Sequence, residues 1–234
     1  MKLMKRLKGL LYNSKIGFEF LLITRRVFPQ AGLNRLDEEI KKYLPQQGGV
    51  FIEAGANDGI SQSNTYYLER KCGWSGILIE PVPRLYERCK KVRLKSNVFN
   101  YALVSPDNHG SKIELVDMGL MSLVKNVDDK GGKEYSRIDY GELYFGRKGK
   151  SIFVEGRTLS SIIDQGVIGV IDLLVLDIEG YEFEALLGLD LDRHRPKFIV
   201  VETLDFAQIE LYLRKYYEFE RNLSHHDYLF KRLI

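Results

Sequence analysis

The feature that most constrains the fold of this 234-residue chain is the stretch of residues 50–59. It opens with a short apolar run of strand-forming residues and closes in a turn that holds Gly55 and Gly59. A segment with helical signals, residues 61–71, follows directly. A strand, a tight turn and a helix in this order place backbone N–H groups at the carboxyl edge of a sheet, where α/β folds bind ligands. We expect glycine at the turn because a Cβ there would block the ligand or forbid the turn.

The spacing of the glycines indicates which ligand this turn favours. A dinucleotide site needs G-x-G-x-x-G, and a P-loop ends in Gly-Lys-Ser or Gly-Lys-Thr. Asn57 stands where a further glycine would be needed, and no lysine follows Gly59, which argues against a dinucleotide oxidoreductase. A second acid, Glu80, ends the next predicted strand 21 residues after Gly59, and an acid at about that distance binds ribose hydroxyls. A ribose site without a pyrophosphate cradle indicates S-adenosylmethionine.

Size and composition fit one α/β domain with an N-terminal appendage. Hydrophobic residues make up 44% and charged residues 29% of the chain, as in soluble proteins with a sizeable core. The net charge of +3 is too small to indicate nucleic-acid binding. Two cysteines, Cys72 and Cys89, give no disulfide framework, so we expect a reducing, cytoplasmic location.

Most of the positive charge lies near the N-terminus. Residues 1–36 carry eight basic side chains against the single acid Glu19, a net charge of +7, which leaves −4 for the remainder. Apolar residues in 1–28 recur at roughly helical spacing with interruptions, one of them at Gly17. Lys15 and Glu19 break the apolar runs, which argues against a transmembrane span or a signal peptide. The segment is interpreted either as a helix packed on the domain or as a basic surface for an anionic membrane or an anionic substrate. Binding to a membrane would make the protein peripheral there.

The rest of the chain alternates predicted strands with predicted helices, which favours a mostly parallel sheet with helices on both faces. We divide it into an N-terminal basic helical appendage, residues 1–45, and a domain, residues 46–234, with a lid or substrate-selecting insertion at 118–150. The last two strands are separated by a short turn, which predicts an antiparallel hairpin at the sheet edge. Strands are predicted over residues 50–53, 76–80, 97–104, 112–116, 151–154, 171–176, 197–202, 218–223 and 228–233, and helices over 37–44, 61–71, 84–93, 183–189 and 204–216, with another after Thr158.

Four acids stand at the ends of predicted strands: Glu53, Glu80, Asp177 and Glu202. The carboxyl ends of strands in an open α/β sheet line one crevice, so these side chains should meet there. A carboxylate in that position can accept the proton of an attacking alcohol. The alternative is a structural role, because strand-end carboxylates also cap the helices that follow.

Several of these motifs together resemble the FkbM family of methyltransferases. They are residues 51–59, the Ser-Asn-Thr of 63–65, the segments 73–76 and 78–81, the Leu-Val-Leu-Asp-Ile-Glu-Gly-Tyr-Glu of 174–182, and 199–202. The resemblance covers roughly residues 50–202. It implies a class I, Rossmann-like fold and methyl transfer from S-adenosylmethionine, mostly to oxygen and often on sugars.

The resemblance also implies roles for individual residues. The glycine turn would hold the methionine part of the cofactor with Glu53 at its ammonium, Glu80 would bind the ribose, and residues 100–102 would contact the adenine. The implied cofactor-binding residues are Glu53, Gly55, Ala56, Asn57, Asp58, Gly59, Ser63, Asn64, Glu80, Pro81, Asn100, Ala102 and Asp177. The implied catalytic residues are Asp177, Glu179 and Glu202. The implied acceptor-binding residues are Glu179, Tyr181, Glu202, His225 and His226. The two histidines are alternative candidates for the catalytic base.

The acceptor and the metal are left open by these patterns. Asp177, Glu179 and Glu202 are also similar to the acids of macrocin-type sugar O-methyltransferases, in which a divalent cation such as Mg²⁺ holds two sugar hydroxyls. We expect O-methylation of a sugar hydroxyl on a glycan, glycolipid or glycosylated metabolite. The alternatives are a methyltransferase for lipid or nucleic acid and a non-catalytic S-adenosylmethionine-binding module. Nucleic acid is disfavoured because no aromatic-proline signature for a flipped base accompanies the acids.

Overall fold

A computed structural model describes residues 15–27, 32, 35–119, 122–125, 148–166 and 169–234. Its strands are β1 Val50–Ala54, β2 Ser75–Ile79, β3 Asn97–Phe99, β4 Ala102–Leu103, β5 Lys112–Asp117, β6 Leu123–Val124, β7 Lys150–Arg157, β8 Leu173–Leu176, β9 Phe198–Glu202, β10 Tyr217–Asn222 and β11 Asp227–Arg232. Its helices are α1 Lys15–Val27, α2 Leu36–Lys41, α3 Tyr66–Lys71, α4 Pro83–Val92, α5 Leu159–Gly166, α6 Glu182–Leu187 and α7 Phe206–Leu213.

The main sheet has seven strands in the order β3-β2-β1-β8-β9-β11-β10. The first five are parallel, and β11 runs antiparallel to both β9 and β10. This confirms the predicted mostly parallel sheet with a C-terminal antiparallel hairpin. Strand order reverses between β1 and β8, and a crevice for ligands opens at the carboxyl ends of the strands at such a point.

Both faces of this sheet are covered, which explains the unbroken apolar run of β8. Side chains of Leu174 and Leu176 pack with α5, α6 and α7 on one face, while Leu173 and Val175 pack on the other face with α2, α3 and α4. All four β8 residues are buried. A strand covered on both faces cannot alternate apolar and polar residues, because either kind of position would face a core.

The strand predicted over residues 97–104 is wrong as a single element. Strand β3 ends at Phe99, and the side-chain amide of Asn100 donates to the backbone oxygens of Glu80 and Pro81, both at 2.8 Å. These bonds take the chain out of the first sheet. Residues Ala102–Leu103 then pair with β7 in a second sheet of order β4-β7-β5-β6. The predicted strands 112–116 and 151–154 belong to this second sheet.

Helix α1 packs on the domain through one side. Phe18 is buried against Ile60 and Tyr66, and Leu22 and Val92 pack on the same cluster. The predicted interruption at Gly17 is wrong, because the helix continues through it; the other predicted interruptions, within residues 1–14, lie outside the described residues. Among the residues that the structure describes, no helix is both long enough and apolar enough to span a bilayer.

The proposed division at residue 45 stays a prediction. Helix α2 precedes that boundary, yet Leu36, Ile40 and Leu44 are part of the buried cluster that covers one face of the main sheet. Most of the 118–150 insertion lies outside the described residues; residues 118–119, 122–125 and 148–150 are described.

Candidate active site

A cleft of about 860 Å³, including the part open to solvent, lies at the carboxyl ends of β1, β2 and β8. Its opposite wall comes from the second sheet, with Leu115, Leu123 and Val124 facing it. The cleft is therefore at the edge where the sequence predicted that the strand-end acids meet.

The two glycines of the β1 turn are required by packing within the protein. Gly55 has φ +83°, and a Cβ there would lie 1.8 Å from the backbone oxygen of Asp177. Gly59 has φ +82°, and a Cβ there would lie 2.9 Å from Cγ of Arg93 and 3.0 Å from Sγ of Cys89. The positive φ values fit the expectation that a side chain would forbid the turn, and a Cβ would also collide with the end of β8 or with the residues of α4 and its C-terminus. That a Cβ would block a ligand stays a prediction.

Glu80 is buried at the end of β2 and lines the cleft. Its Oε2 accepts a hydrogen bond from the backbone N–H of Asn57 at 2.7 Å, and its Oε1 accepts one from Val82 at 2.8 Å. Burial raises the pKa of the Glu80 carboxyl to about 7, although the two backbone donors oppose this shift. Each carboxylate oxygen retains a lone pair for a hydroxyl donor in the cleft.

Asp58 shapes the turn and does not line the cleft. Its buried carboxylate accepts hydrogen bonds from the backbone N–H groups of Ile60 at 3.0 Å and Ser61 at 2.8 Å, and from the Ser61 hydroxyl at 3.0 Å. Asn57 adopts φ 52°, a left-handed conformation that asparagine tolerates better than most residues. The Asn57 backbone N–H thereby reaches Glu80 without a third glycine.

Glu53 belongs to a buried polar network behind the cleft. Its carboxylate accepts hydrogen bonds from the Ser63 hydroxyl at 2.9 Å, the Asn64 backbone N–H at 2.8 Å and the Thr65 hydroxyl at 2.5 Å. The guanidinium of Arg93, which is 1% exposed, lies 3.4 Å from the same carboxylate. Glu53 also lines the cleft, and its expected contact with the cofactor ammonium stays a prediction.

Ser63 explains why the predicted helix start at residue 61 is wrong. Its hydroxyl oxygen accepts hydrogen bonds from the backbone N–H groups of Thr65 at 3.3 Å and Tyr66 at 3.0 Å. Such bonds satisfy N–H groups that a first helical turn leaves without partners. Helix α3 therefore begins at Tyr66, and Ser61 and Gln62 are free to line the cleft.

The turn after β8 brings four further residues to the cleft: Asp177, Ile178, Glu179 and Tyr181. Glu182 shapes this turn, since its carboxylate accepts hydrogen bonds from Ile178 N–H at 3.0 Å and Gly180 N–H at 2.9 Å. Glu179 takes φ 58°, an uncommon value for glutamate, which the surrounding turn holds in place. Sequence reasoning assigned no role to Glu182.

Asp177 lies in an environment that disfavours its ionised form. Removal from water raises the pKa of its carboxyl well above the usual range, and the neighbouring carboxylates of Glu202 and Glu179 raise it further. The strand register explains why Glu202 is close to Asp177. Leu176 pairs with Val201, so the next residues along the two strands, Asp177 and Glu202, lie side by side. A carboxylate with a raised pKa is a better proton acceptor than an ordinary one.

Three predicted acceptor-side residues lie outside the cleft lining. Glu202 is opposite Asp227 in the β9–β11 pair, and the backbone oxygen of His226 accepts a hydrogen bond from Thr203 N–H at 2.8 Å. The side chain of His225 is exposed. Glu202 ends β9, the strand next to β8, whereas His225 and His226 lie in the turn between β10 and β11.

The cleft lining divides the predicted residues into two sets. Those that line it are Glu53, Gly55, Asn57, Asn64, Glu80, Pro81, Ala102, Asp177, Glu179 and Tyr181. Those outside its lining are Ala56, Asp58, Gly59, Ser63, Asn100, Glu202, His225 and His226. Lining residues that sequence reasoning missed include Ser61, Gln62, Leu115, Ser122 and Val124. Most of these come from loops or from the second sheet, and no motif marks them.

An ion pair holds the second sheet to the main domain beside this cleft. Arg84 donates to Asp117 through Nε at 2.9 Å and Nη2 at 2.7 Å. The same carboxylate accepts a hydrogen bond from Gly119 N–H at 3.0 Å, and Gly119 and Ser122 line the cleft. Helix α4 thus fixes the loop that forms part of the cleft wall.

A family model described as the methyltransferase FkbM domain matches residues 53–230. The chain belongs to the FkbM methyltransferase family. It is therefore an S-adenosylmethionine-dependent methyltransferase with the class I fold that its sheet order shows. No relative among curated protein sequences matches the chain significantly.

The FkbM domain is also similar to solved methyltransferase structures. A TehB-like SAM-dependent methyltransferase from Corynebacterium glutamicum is 12% identical, with a TM-score of 0.43, 85% of this chain and 87% of that chain being covered. Human methyltransferase 10 domain containing protein is 10% identical, with a TM-score of 0.45 and coverage of 84% and 79%. TrmK of M. capricolum, in complex with S-adenosylhomocysteine, is 9% identical, with a TM-score of 0.37 and coverage of 85% and 66%.

The lining of the cleft fits S-adenosylmethionine. Glu80 offers carboxylate oxygens to ribose hydroxyls, and Asn64 has a buried side-chain oxygen without a hydrogen-bond partner in the described part of the chain. A buried acceptor without a partner costs free energy, which a bound donor such as the cofactor ammonium would recover. For a metal the donor set does not fit: within the described residues no three His, Cys, Asp or Glu side chains are placed to hold one.

The FkbM domain should bind S-adenosylmethionine about tenfold more tightly near pH 8 than near pH 6. The pKa of Glu80 is about 7, and ribose hydroxyls donate to its ionised form, so binding lowers that pKa and releases a proton. Affinity therefore rises as the pH passes through 7. Calorimetry in buffers of different ionisation enthalpy measures both the affinity and the number of protons released on binding. Glu80→Gln should bind the cofactor more weakly, and its affinity should not change with pH. A wild-type affinity that is the same at pH 6 and pH 8 would refute this role of Glu80.

Proposed function

We propose that this FkbM-family enzyme transfers the methyl group of S-adenosylmethionine to a hydroxyl oxygen of a sugar-containing acceptor. The observation that carries the proposal is the position of Asp177, which lines the cleft beside Glu179 and Tyr181 and has a raised pKa. Carboxylates and a phenol at the acceptor side suit a ligand with several hydroxyls, because each of these groups can accept a hydroxyl donor.

When bound, S-adenosylmethionine supplies a methyl group on a positively charged sulfur, and transfer to a hydroxyl yields a methyl ether, S-adenosylhomocysteine and one proton. Asp177 accepts that proton as the oxygen becomes nucleophilic. Glu179 and Tyr181 orient the acceptor hydroxyls, and the Asn57–Glu80 side of the cleft holds the cofactor. Orientation of the acceptor in line with the methyl group accounts for much of the remaining rate enhancement.

Methyl-labelled S-adenosylmethionine, offered with fractionated glycans, lipids and RNA, tests this function. We expect label in the glycan or glycolipid fraction, in a product that survives mild alkali, because ethers resist hydrolysis and carboxylate methyl esters do not. Acid hydrolysis should then release a methylated monosaccharide. Label confined to RNA, to the acyl part of a lipid or to an alkali-labile ester would contradict a sugar hydroxyl as the acceptor.

A further inference from the structure

Helix α1 has apolar side chains on two opposite sides. Phe18 and Leu22 face the domain, where Phe18 is 6% exposed. Phe20 and Ile23 point the other way and are 68% and 61% exposed. The inner side accounts for how α1 is held, but it gives no reason for a phenylalanine and an isoleucine in water on the outer side.

Helix α4, which contacts α1, ends in exposed lysines and is followed by a third exposed apolar side chain. Arg88 of α4 lies over the Phe18 ring at 4.8 Å, which places α1 against this helix. The last turn of α4 holds Lys90 and Lys91, both exposed, and Leu94 follows at 82% exposure. Exposed Lys95 comes next in the chain. We call Phe20, Ile23, Leu94 and these lysines the α1–α4 surface.

We infer that the α1–α4 surface binds the headgroup region of an anionic phospholipid membrane. Apolar side chains on a helix that is fixed along its other side can enter the boundary between headgroups and acyl chains, while nearby lysines contact lipid phosphates. The net charge of +7 over residues 1–36 adds to this attraction. A second copy of the chain is a poorer occupant, because pairing would bring the same cations together.

Vesicle sedimentation with the full chain tests the inference. We expect binding to phosphatidylcholine vesicles that contain phosphatidylglycerol, little binding to phosphatidylcholine alone, and release by high salt, which screens the charges. Phe20→Ser with Ile23→Ser should weaken binding to the anionic vesicles by at least about tenfold. Leu211→Ser is the matched control, since Leu211 is 59% exposed on α7, and it should bind as the wild type does.

Three outcomes would overturn the inference. The first is equal binding to both kinds of vesicle, and the second is unchanged binding by the Phe20→Ser, Ile23→Ser chain. The third is a wild-type dimer in sedimentation equilibrium that this double variant dissociates, which would assign the surface to a second copy. Both side chains are largely exposed, so the double variant should keep the wild-type melting temperature and remain a valid test. Methyl transfer to a soluble acceptor is independent of these outcomes.

Discussion

Replacement of Asp177 by asparagine should reduce turnover by about 10²–10⁴-fold, the usual contribution of a general base. Asparagine keeps the shape of the side chain but cannot accept the hydroxyl proton. The variant should not lose stability: the pKa of Asp177 is raised in the folded state, so its ionised form costs stability as the pH rises, and asparagine removes that cost. Initial rates with labelled cofactor, together with a thermal melt, measure both effects.

The dependence of kcat/KM on pH separates a base from a merely structural carboxylate. In the wild type the rate should rise with pH as Asp177 ionises, and this limb should be absent from Asp177→Asn. Glu202 acts on the same group through its charge, so Glu202→Gln should lower the pKa of Asp177 and move the limb to lower pH without abolishing turnover. That behaviour would make Glu202 a positioning residue.

Asp172→Asn is the control at the other end of the same strand. Its carboxylate accepts hydrogen bonds from Val50 N–H at 2.9 Å and from Lys197 Nζ at 2.7 Å, away from the cleft. This variant should lose stability and retain its turnover. Full activity of Asp177→Asn, combined with a large loss in Glu179→Gln, would move the base to Glu179. Full activity of both would remove the proton acceptor from the β8 turn altogether.

The main sheet was predictable because its signals are local. Strand β8 is an apolar run between helices, and β1 is an apolar run before a glycine turn. Each strand can therefore be identified from its own sequence, without knowledge of the strands it pairs with. The short turn before Asp227 likewise marks a hairpin. The acids at the strand ends then locate the cleft, since topology brings the carboxyl ends of parallel strands together.

The second sheet was not predictable, because its pairing depends on contacts distant in sequence. Strand β5 pairs with β7 across more than thirty residues, with Ile113 opposite Val154. Nothing in residues 97–104 shows that the chain leaves the first sheet at Asn100; that exit depends on two side-chain hydrogen bonds to the residues after β2. The cleft wall made by Leu115 and Val124 was missed for the same reason.

Arg93 shows the same limit in the polar core. In the sequence it is the last residue of a predicted amphipathic helix with two lysines just before it, which is the usual pattern of cations at a helix C-terminus. The structure instead buries it between two acids, 3.4 Å from Glu53 and 3.0 Å from Glu69. The position of a buried ion pair depends on which elements meet, and single-sequence patterns do not contain that information.

Replacement of Arg93 by methionine should destabilise the fold by about 3–5 kcal/mol, the usual effect of removing one partner from a buried ion pair. Arg93 also donates to the Gly59 backbone oxygen at 3.1 Å and the Thr65 hydroxyl at 2.7 Å, so the turn after β1 loses its support as well. Glu53 and Glu69 would remain as buried carboxylates without a cation. Urea unfolding measures the change in the free energy of unfolding.

The pH dependence of the stability lost in Arg93→Met distinguishes a lost ion pair from lost packing. Buried negative charge without a counter-ion costs stability, and carboxylates carry more of it as the pH rises, so the variant should become less stable relative to wild type from about pH 5 to pH 8. A loss of packing alone would be constant over this range. Arg193→Met is the matched control, since Arg193 pairs with Asp164 at 2.6 Å with its side chain 55% exposed, and its unfolding midpoint should not move. If Arg93→Met were as stable as that control at pH 8, the buried network would not be what holds the turn, and the positions of Asn57 and Asn64 in the cleft would need another cause.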